Sequence, residues 1–159
     1  MQKSGKQRSP QEIRQQIYAY CAYQERSHQE VRNKLYDLGL YSQDVDETLA
    51  ILITEGYLNE ERFAKAFVGG KFRIKSWGRV KIKHELEARG LTKKCIHAGM
   101  LEISDDDYID TLTRLLQKKS LSLSESDVFR KRDKLGKFAI SKGYESELVW
   151  KIVEDIVQK

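Results

Sequence analysis

Tyr36-Asp37-Leu38-Gly39-Leu40 returns along the chain as Glu87-Ala88-Arg89-Gly90-Leu91 and again as Ser141-Lys142-Gly143-Tyr144. In each copy a glycine, followed by an apolar residue, closes a periodic run, and the glycines stand 51 and 53 residues apart. Eight positions before them lie Val31, Ile82 and Leu135, and four before lie Leu35, Leu86 and Ala139. Six after come Val45, Ile96 and Val149, ten after come Leu49, Met100 and Val153, and thirteen after come Leu52, Ile103 and Ile156. Offsets of three and four build the apolar stripe of an amphipathic helix. A glycine suits the left-handed residue that ends such a helix, where a Cβ is penalised. Each copy therefore reads as helix, tight glycine turn, helix.

A further helix leads each pair. Ser9-Pro10-Gln11-Glu12 places a serine cap, a first-turn proline and a glutamate three residues after the cap. Ile13, Ile17, Tyr20 and Cys21 carry that helix to about Gln24. Ser27-His28-Gln29-Glu30 repeats the capping pattern, and Ser42 is the expected cap of the following helix. A helix is expected from about Asn59 to Ile74 with Phe63, Phe67 and Ile74 on one face. Another opens at Ser104-Asp105-Asp106-Asp107, acidic residues suited to the positive end of a helix dipole, and carries Ile109, Leu112, Leu115 and Leu116. The serine-rich alternation Leu121-Ser122-Leu123-Ser124, between Lys119 and Asp127, reads as a loop. The expected architecture is all-α: three tandem three-helix repeats at 9–55, 59–103 and 105–158 in an elongated, curved array, after a disordered basic N-terminus at 1–8. Units that short bury little core alone, so neighbours must stack.

Composition agrees with a helical binding protein. Of 159 residues, 40% are hydrophobic and 33% charged, with one proline and ten glycines, too few turn formers for a β fold. There is no signal-peptide pattern and no run of membrane-spanning length, so a cytoplasmic protein without a membrane role is expected. Cys21 and Cys95 are far apart and read as reduced residues on half-buried helix faces. The net charge of +5 is unevenly placed. Residues 1–64 carry 8 basic against 10 acidic side chains, residues 65–94 carry 10 against 2, and residues 95–159 carry 11 against 12. Such segregation favours a polyanion or an acidic protein face as partner.

No reaction is legible. His28, His84 and His97 are scattered, and Ala88 stands where a zinc-protease pattern starting at His84-Glu85 needs its second histidine. Gly69-Gly70-Lys71 lacks the earlier glycine and the leading strand of a phosphate loop. Asp105, Asp106 and Asp107 point in different directions around a helix start. Neither a metal nor a cofactor is expected.

Certain segments are more specific. Gly56-Tyr57-Leu58-Asn59-Glu60-Glu61-Arg62-Phe63-Ala64 closely resembles a signature of the RecX family, in which Gly-Tyr-Leu and acidic residues precede Arg-Phe-Ala. Lys75-Ser76-Trp77-Gly78-Arg79-Val80-Lys81-Ile82-Lys83-His84-Glu85-Leu86, followed by Arg89-Gly90-Leu91, is similar to the family's second-repeat motif. Phe138-Ala139 with Lys142-Gly143-Tyr144 resembles its closing turn, and the likeness covers about residues 10–157. Asn59 and Glu60 stand where aspartates are usual, Arg79 where proline is frequent, and Gly69-Gly70 is unusual inside a helix, where each glycine costs about 0.5–1 kcal/mol. Those two glycines imply a bend or a closely approaching helix.

The resemblance implies a fold of tandem three-helix repeats. It also implies an inhibitor of RecA that docks in the groove of the RecA filament on single-stranded DNA; a monomer with weak direct DNA binding is expected. Such proteins limit filament growth, ATP hydrolysis, strand exchange and stimulated repressor cleavage, and so modulate DNA repair and the SOS response. In this chain Lys71, Arg73, Lys75, Trp77, Arg79, Lys81, Lys83, Lys93 and Lys94 are the candidate contacts, forming one cationic ridge. Trp77 reads either as a base-stacking platform or as a plug between helices. Arg130, Lys131, Arg132, Lys134 and Lys137, with Lys142 beyond them, form a weaker second patch. Arg62 reads as an intramolecular ion-pair partner, and Tyr57 and Phe63 as packing at the first joint. A stand-alone DNA-binding protein built on the helix-turn-helix likeness, or a helical scaffold for another protein, is the alternative. Asp46, Glu47, Glu154 and Asp155 on the post-glycine helices argue against duplex binding.

Overall fold

The computed structural model describes residues 7–158. Of the N-terminal segment expected to be disordered, only Gln7 and Arg8 fall among them, both exposed. The described residues form nine α-helices and no strand: α1 (Pro10–Tyr23), α2 (His28–Asp37), α3 (Ser42–Thr54), α4 (Glu60–Lys75), α5 (Arg79–Ala88), α6 (Lys93–Met100), α7 (Asp105–Ser122), α8 (Val128–Ser141) and α9 (Ser146–Ile156). None is long and apolar enough to cross a membrane.

The three glycine turns are built alike. Gly39, Gly90 and Gly143 have φ of +105°, +78° and +100°. In each, the next residue donates its N–H back to the carbonyl five positions earlier: Leu40 to Leu35 at 3.1 Å, Leu91 to Leu86 at 3.3 Å, Tyr144 to Ala139 at 3.2 Å. That bond satisfies a carbonyl the helix end leaves unpaired. Apolar residues at matching offsets from these glycines are buried, except Met100 and Ile156, which are half-buried against the core.

Helix starts follow local chemistry. Ser9, Ser27, Asn59, Thr92, Ser104 and Asp127 each accept a backbone N–H three residues on. Ser42 does not cap: it is the first helical residue of α3, and Tyr41 precedes it without a side-chain bond. The expected loop after Lys119 begins late, because α7 runs on to Ser122. Along α7 the core takes Tyr108, Leu112 and Leu116, while Ile109 is half-exposed. Ile74 is 79% exposed although it shares the helical face of Phe63 and Phe67; Phe72 is buried instead, near Tyr108. The Arg73 guanidinium lies over Gly69, and the space beside Gly70 is open.

The helices come in three successive sets of three, yet the core divides in two. One cluster, from Ile13 to Leu58, belongs to α1–α3 and the segment after them. The other, from Phe63 to Val157, is shared by α4–α6 and α7–α9. The joint between the two clusters includes several polar contacts. Arg62 pairs with Glu25 and donates to the Gly56 carbonyl at 2.9 Å, the His28 N–H reaches Glu60 at 3.2 Å, and Arg89 stands 3.8 Å from Glu30. Arg62 thus has the intramolecular role expected of it, and Tyr57 meets Tyr18 edge-on at 4.6 Å.

The second joint is different. Gly78 begins α5 without a capping side chain. Its first N–H groups are met from the third set of helices instead: Gly78 donates to the Lys142 carbonyl at 2.8 Å, Arg79 to the Tyr108 hydroxyl at 3.0 Å, and Val80 to the Gly143 carbonyl at 2.9 Å. A Cβ on Gly78 would collide with the Gly143 carbonyl group, and one on Gly143 with the Lys81 Cβ. Two bare glycine backbones thus let α5 and the last turn touch.

Candidate binding surface

The link from α4 to α5 places the candidate residues. Ser76 takes a left-handed conformation (φ 55°, ψ 35°) that ends α4, and the Trp77 N–H returns to the Lys71 carbonyl at 3.2 Å. A left-handed non-glycine residue costs about 1–2 kcal/mol. Here the fold holds it: Tyr144 donates its hydroxyl to the Ser76 carbonyl at 2.9 Å, and Lys142 Nζ donates to the Lys75 carbonyl at 3.0 Å. Burial pushes the Tyr144 phenol up to about 12, with the Glu145 charge adding to the shift. Burial raises Tyr108 further still; its ring stacks on that of Tyr144 at 5.0 Å, and its hydroxyl donates to Glu145.

Trp77 emerges half-buried from this rigid turn, packed on the shared core. Lys71 Nζ lies 4.8 Å and Lys81 Nζ 4.3 Å from its ring centroid, close enough for cation–π attraction. The indole packs on the shared core between helices, with the two lysine ammonium groups over its ring. Lys75 is exposed on the same turn, and Lys142 joins it from the third set. Lys142 belongs to this group, although sequence position assigns it to the second patch; its place in the closing Lys-Gly-Tyr turn was the available signal.

The expected single ridge is divided, because residues two apart on a helix point about 200° apart. Arg73 faces away from Lys71 and Lys75, toward Glu102 at 3.8 Å, over a cavity of about 550 Å³ that Arg114 and Lys118 also line. Arg79 turns inward. Its guanidinium lies 4.1 Å from the Tyr108 ring and bonds Asp105 at 2.8 Å, which makes it a joint residue. Lys83, 3.9 Å from Glu87, borders a small cavity of about 270 Å³ with Lys93, and Lys94 is exposed at the start of α6. In the second patch Arg132 donates to the Val157 carbonyl, Lys134 pairs with Glu125 and Lys137 with Asp133. The Lys134 contact holds the Glu125 carboxyl below its ordinary range. Arg130 is exposed and Lys131 half-exposed.

Among the described residues, nine helices in three sets, each with a glycine turn before its last helix, and a lysine-flanked tryptophan at the second joint define a tandem three-helix repeat protein. Residues 59–100 match the model of the RecX second three-helix domain and residues 105–153 that of the third. The Regulatory protein RecX of Pseudomonas savastanoi pv. phaseolicola is 30% identical over 109 residues, 69% of this chain and 68% of that protein. The Regulatory protein RecX of Clostridium perfringens (strain 13 / Type A) is 31% identical over 117 residues, 72% of this chain and 54% of that one. The chain thus spans about half the length of the clostridial relatives it matches. Its fold matches the crystal structure of RecX from Lactobacillus salivarius with a TM-score of 0.81, 20% identity, and coverage of 92% of this chain and 95% of that one. A second crystal structure, of a regulatory protein RecX, matches with a TM-score of 0.78 at 17% identity, over 91% of this chain and 74% of that one. The chain belongs to the RecX family.

Proposed function

We propose that this chain is a non-catalytic regulator of RecA, seated in the groove of the RecA filament on single-stranded DNA. There it limits filament growth, ATP hydrolysis and strand exchange, and so tempers DNA repair and the SOS response. In this reading it acts as a cytoplasmic monomer without a cofactor, in three repeat units at 9–55, 59–103 and 105–158. The observation that carries it is Trp77 held between Lys71 and Lys81, with Lys75 on the same turn and Lys142 reaching it from the third set, in a chain whose relatives are named regulatory proteins. The lysines take backbone phosphates, releasing counterions, and a phosphate drawn to them brings its base toward the indole. Lys83, Lys93 and Lys94 lie outside this group and serve as a flanking contact.

Titrating the protein into RecA-coated single-stranded DNA should suppress ATP hydrolysis near stoichiometric ratios, with the effect weakening steeply as salt rises. Lys71→Glu with Lys81→Glu should remove about 90% or more of that suppression while circular dichroism stays unchanged. Full inhibition by the double variant, or tight duplex binding with no effect on RecA, would refute this function.

A further inference from the structure

The three sets of helices differ in the groove between their first and third members. Counting from the helix caps and turn glycines, Arg14, Ala64 and Ile109 are equivalent on the leading helices, as are Tyr18, Val68 and Thr113. On the third helices Thr48, Gly99 and Ile152 correspond, and three residues further come Ile51, Glu102 just past the end of α6, and Asp155. In the middle set the groove is shut. Ala64, Val68 and Gly99 are buried, and a Cβ on Gly99 would come within 2.9 Å of the Ala64 carbonyl oxygen. Bulkier residues hold it open elsewhere, leaving a cavity of about 410 Å³ between α1 and α3 and one of about 760 Å³ between α7 and α9.

The α1–α3 groove has a definite chemistry. Its floor is the buried Ile13 and Ile17, and Ile51 stands on its wall 47% exposed. Asp44 and Glu47 line the α3 side, with no side-chain bond to any described residue, and α3 contains no lysine or arginine. Arg14 opposite is drawn to the Tyr18 ring at 5.5 Å, and the Tyr18 hydroxyl donates to Glu55 at 2.6 Å, which leaves the wall of α3 acidic. From this geometry we infer a second docking site, distinct from the Trp77 surface: the α1–α3 groove takes a basic amphipathic helix of a partner protein. Apolar side chains at helical spacing enter over Ile13, Ile17 and Ile51, and lysines or arginines along one edge meet Asp44 and Glu47. The 13 residues of α3 offer a wall of about 20 Å, enough for three to four turns of such a helix.

A fluorescein-labelled amphipathic peptide of leucine and lysine, about 14 residues long, serves as probe. Because the whole chain carries a net charge of +5, non-specific attraction works against this probe, and any binding reports a local site. Saturable anisotropy with the full chain is expected, with methyl shifts at Ile13, Ile17 and Ile51 and none at Ile109 or Ile152. Asp44→Lys with Glu47→Lys, two surface changes, should weaken binding about tenfold or more. Thr48→Trp should fill the groove and do the same, with folding checked by urea titration. Undiminished binding to the double variant, equal affinity for the leucine–glutamate version of the probe, or shifts confined to the α7–α9 groove would overturn the site. A dimer in sedimentation that the double variant abolishes would give the groove to a second copy and overturn it as well.

Discussion

Tyr144 shows how one side chain ties a local feature to a joint. It follows the turn glycine, its ring is 2% exposed against Tyr108, and its hydroxyl secures the left-handed Ser76 from which Trp77 projects. Its phenol is neutral when protonated, and burial raises it from 10.0 in an open chain to about 12. Below pH 10 both folded and unfolded chains keep the proton, so the contribution is fully present. Between pH 10 and about 12 the unfolded tyrosine ionises while the buried one does not; the unfolded state then binds fewer protons, and stability falls as pH rises. One such group gives a slope of about 1.4 kcal/mol per pH unit. Tyr144→Phe should cost about 1 kcal/mol at pH 7 through the lost Ser76 bond, yet show a shallower decline across that alkaline window. Urea midpoints of both proteins at several pH values provide the measurement, and parallel declines would show that burial of this phenol does not govern alkaline stability.

At the scale of an element, α5 begins without a cap of its own and depends on the glycine turn of the third set. Gly143→Ala should therefore cost about 3 kcal/mol or more, because strain at positive φ adds to the collision with Lys81 and the loss of the Val80 bond. Gly39→Ala carries the same backbone strain but meets no atom within 4 Å, so it should cost only about 1–2 kcal/mol. Equal shifts in denaturation midpoint for the two would mean that the turn does not support α5. The contrast also explains what sequence could disclose. Caps at Ser9, Ser27, Asn59 and Ser104 act over three residues, so their chemistry is written locally. The donors of α5 are met by Tyr108, 29 residues on, and by the turn at Gly143, which no local pattern encodes. For the same reason Arg79 is indistinguishable by charge from the exposed lysines, although Asp105 and Tyr108 hold it inside the joint. Ile74 shares the helical face of Phe63 and Phe67 yet is exposed, because periodicity does not say where neighbouring helices stop covering that face.

Across the whole molecule, the division into two cores sets how the chain yields. Among the described residues, ten buried apolar side chains serve α1–α3 and nineteen serve α4–α9 together. The number per helix is alike, but a body twice as long buries a larger fraction of its surface, so α4–α9 is the more stable of the two. The ion pairs seen between the bodies, Arg62 with Glu25 and Arg89 with Glu30, are partly exposed, and such pairs contribute about 0–1 kcal/mol each. That coupling is weaker than a shared apolar core. Native-state hydrogen exchange should then show the protected amides of α1–α3 opening together, at a free energy about 2 kcal/mol or more below that of α4–α9. The Arg62→Ala variant should widen the gap by destabilising the first set alone, since it removes the Glu25 and Gly56 contacts without touching the larger core. Because the Trp77 surface rests on the joint between the second and third sets, it should keep its protection throughout. One common opening free energy from α1 to α9 would instead mean that the polar joint transmits stability as fully as the apolar one, and the chain would behave as a single rigid body.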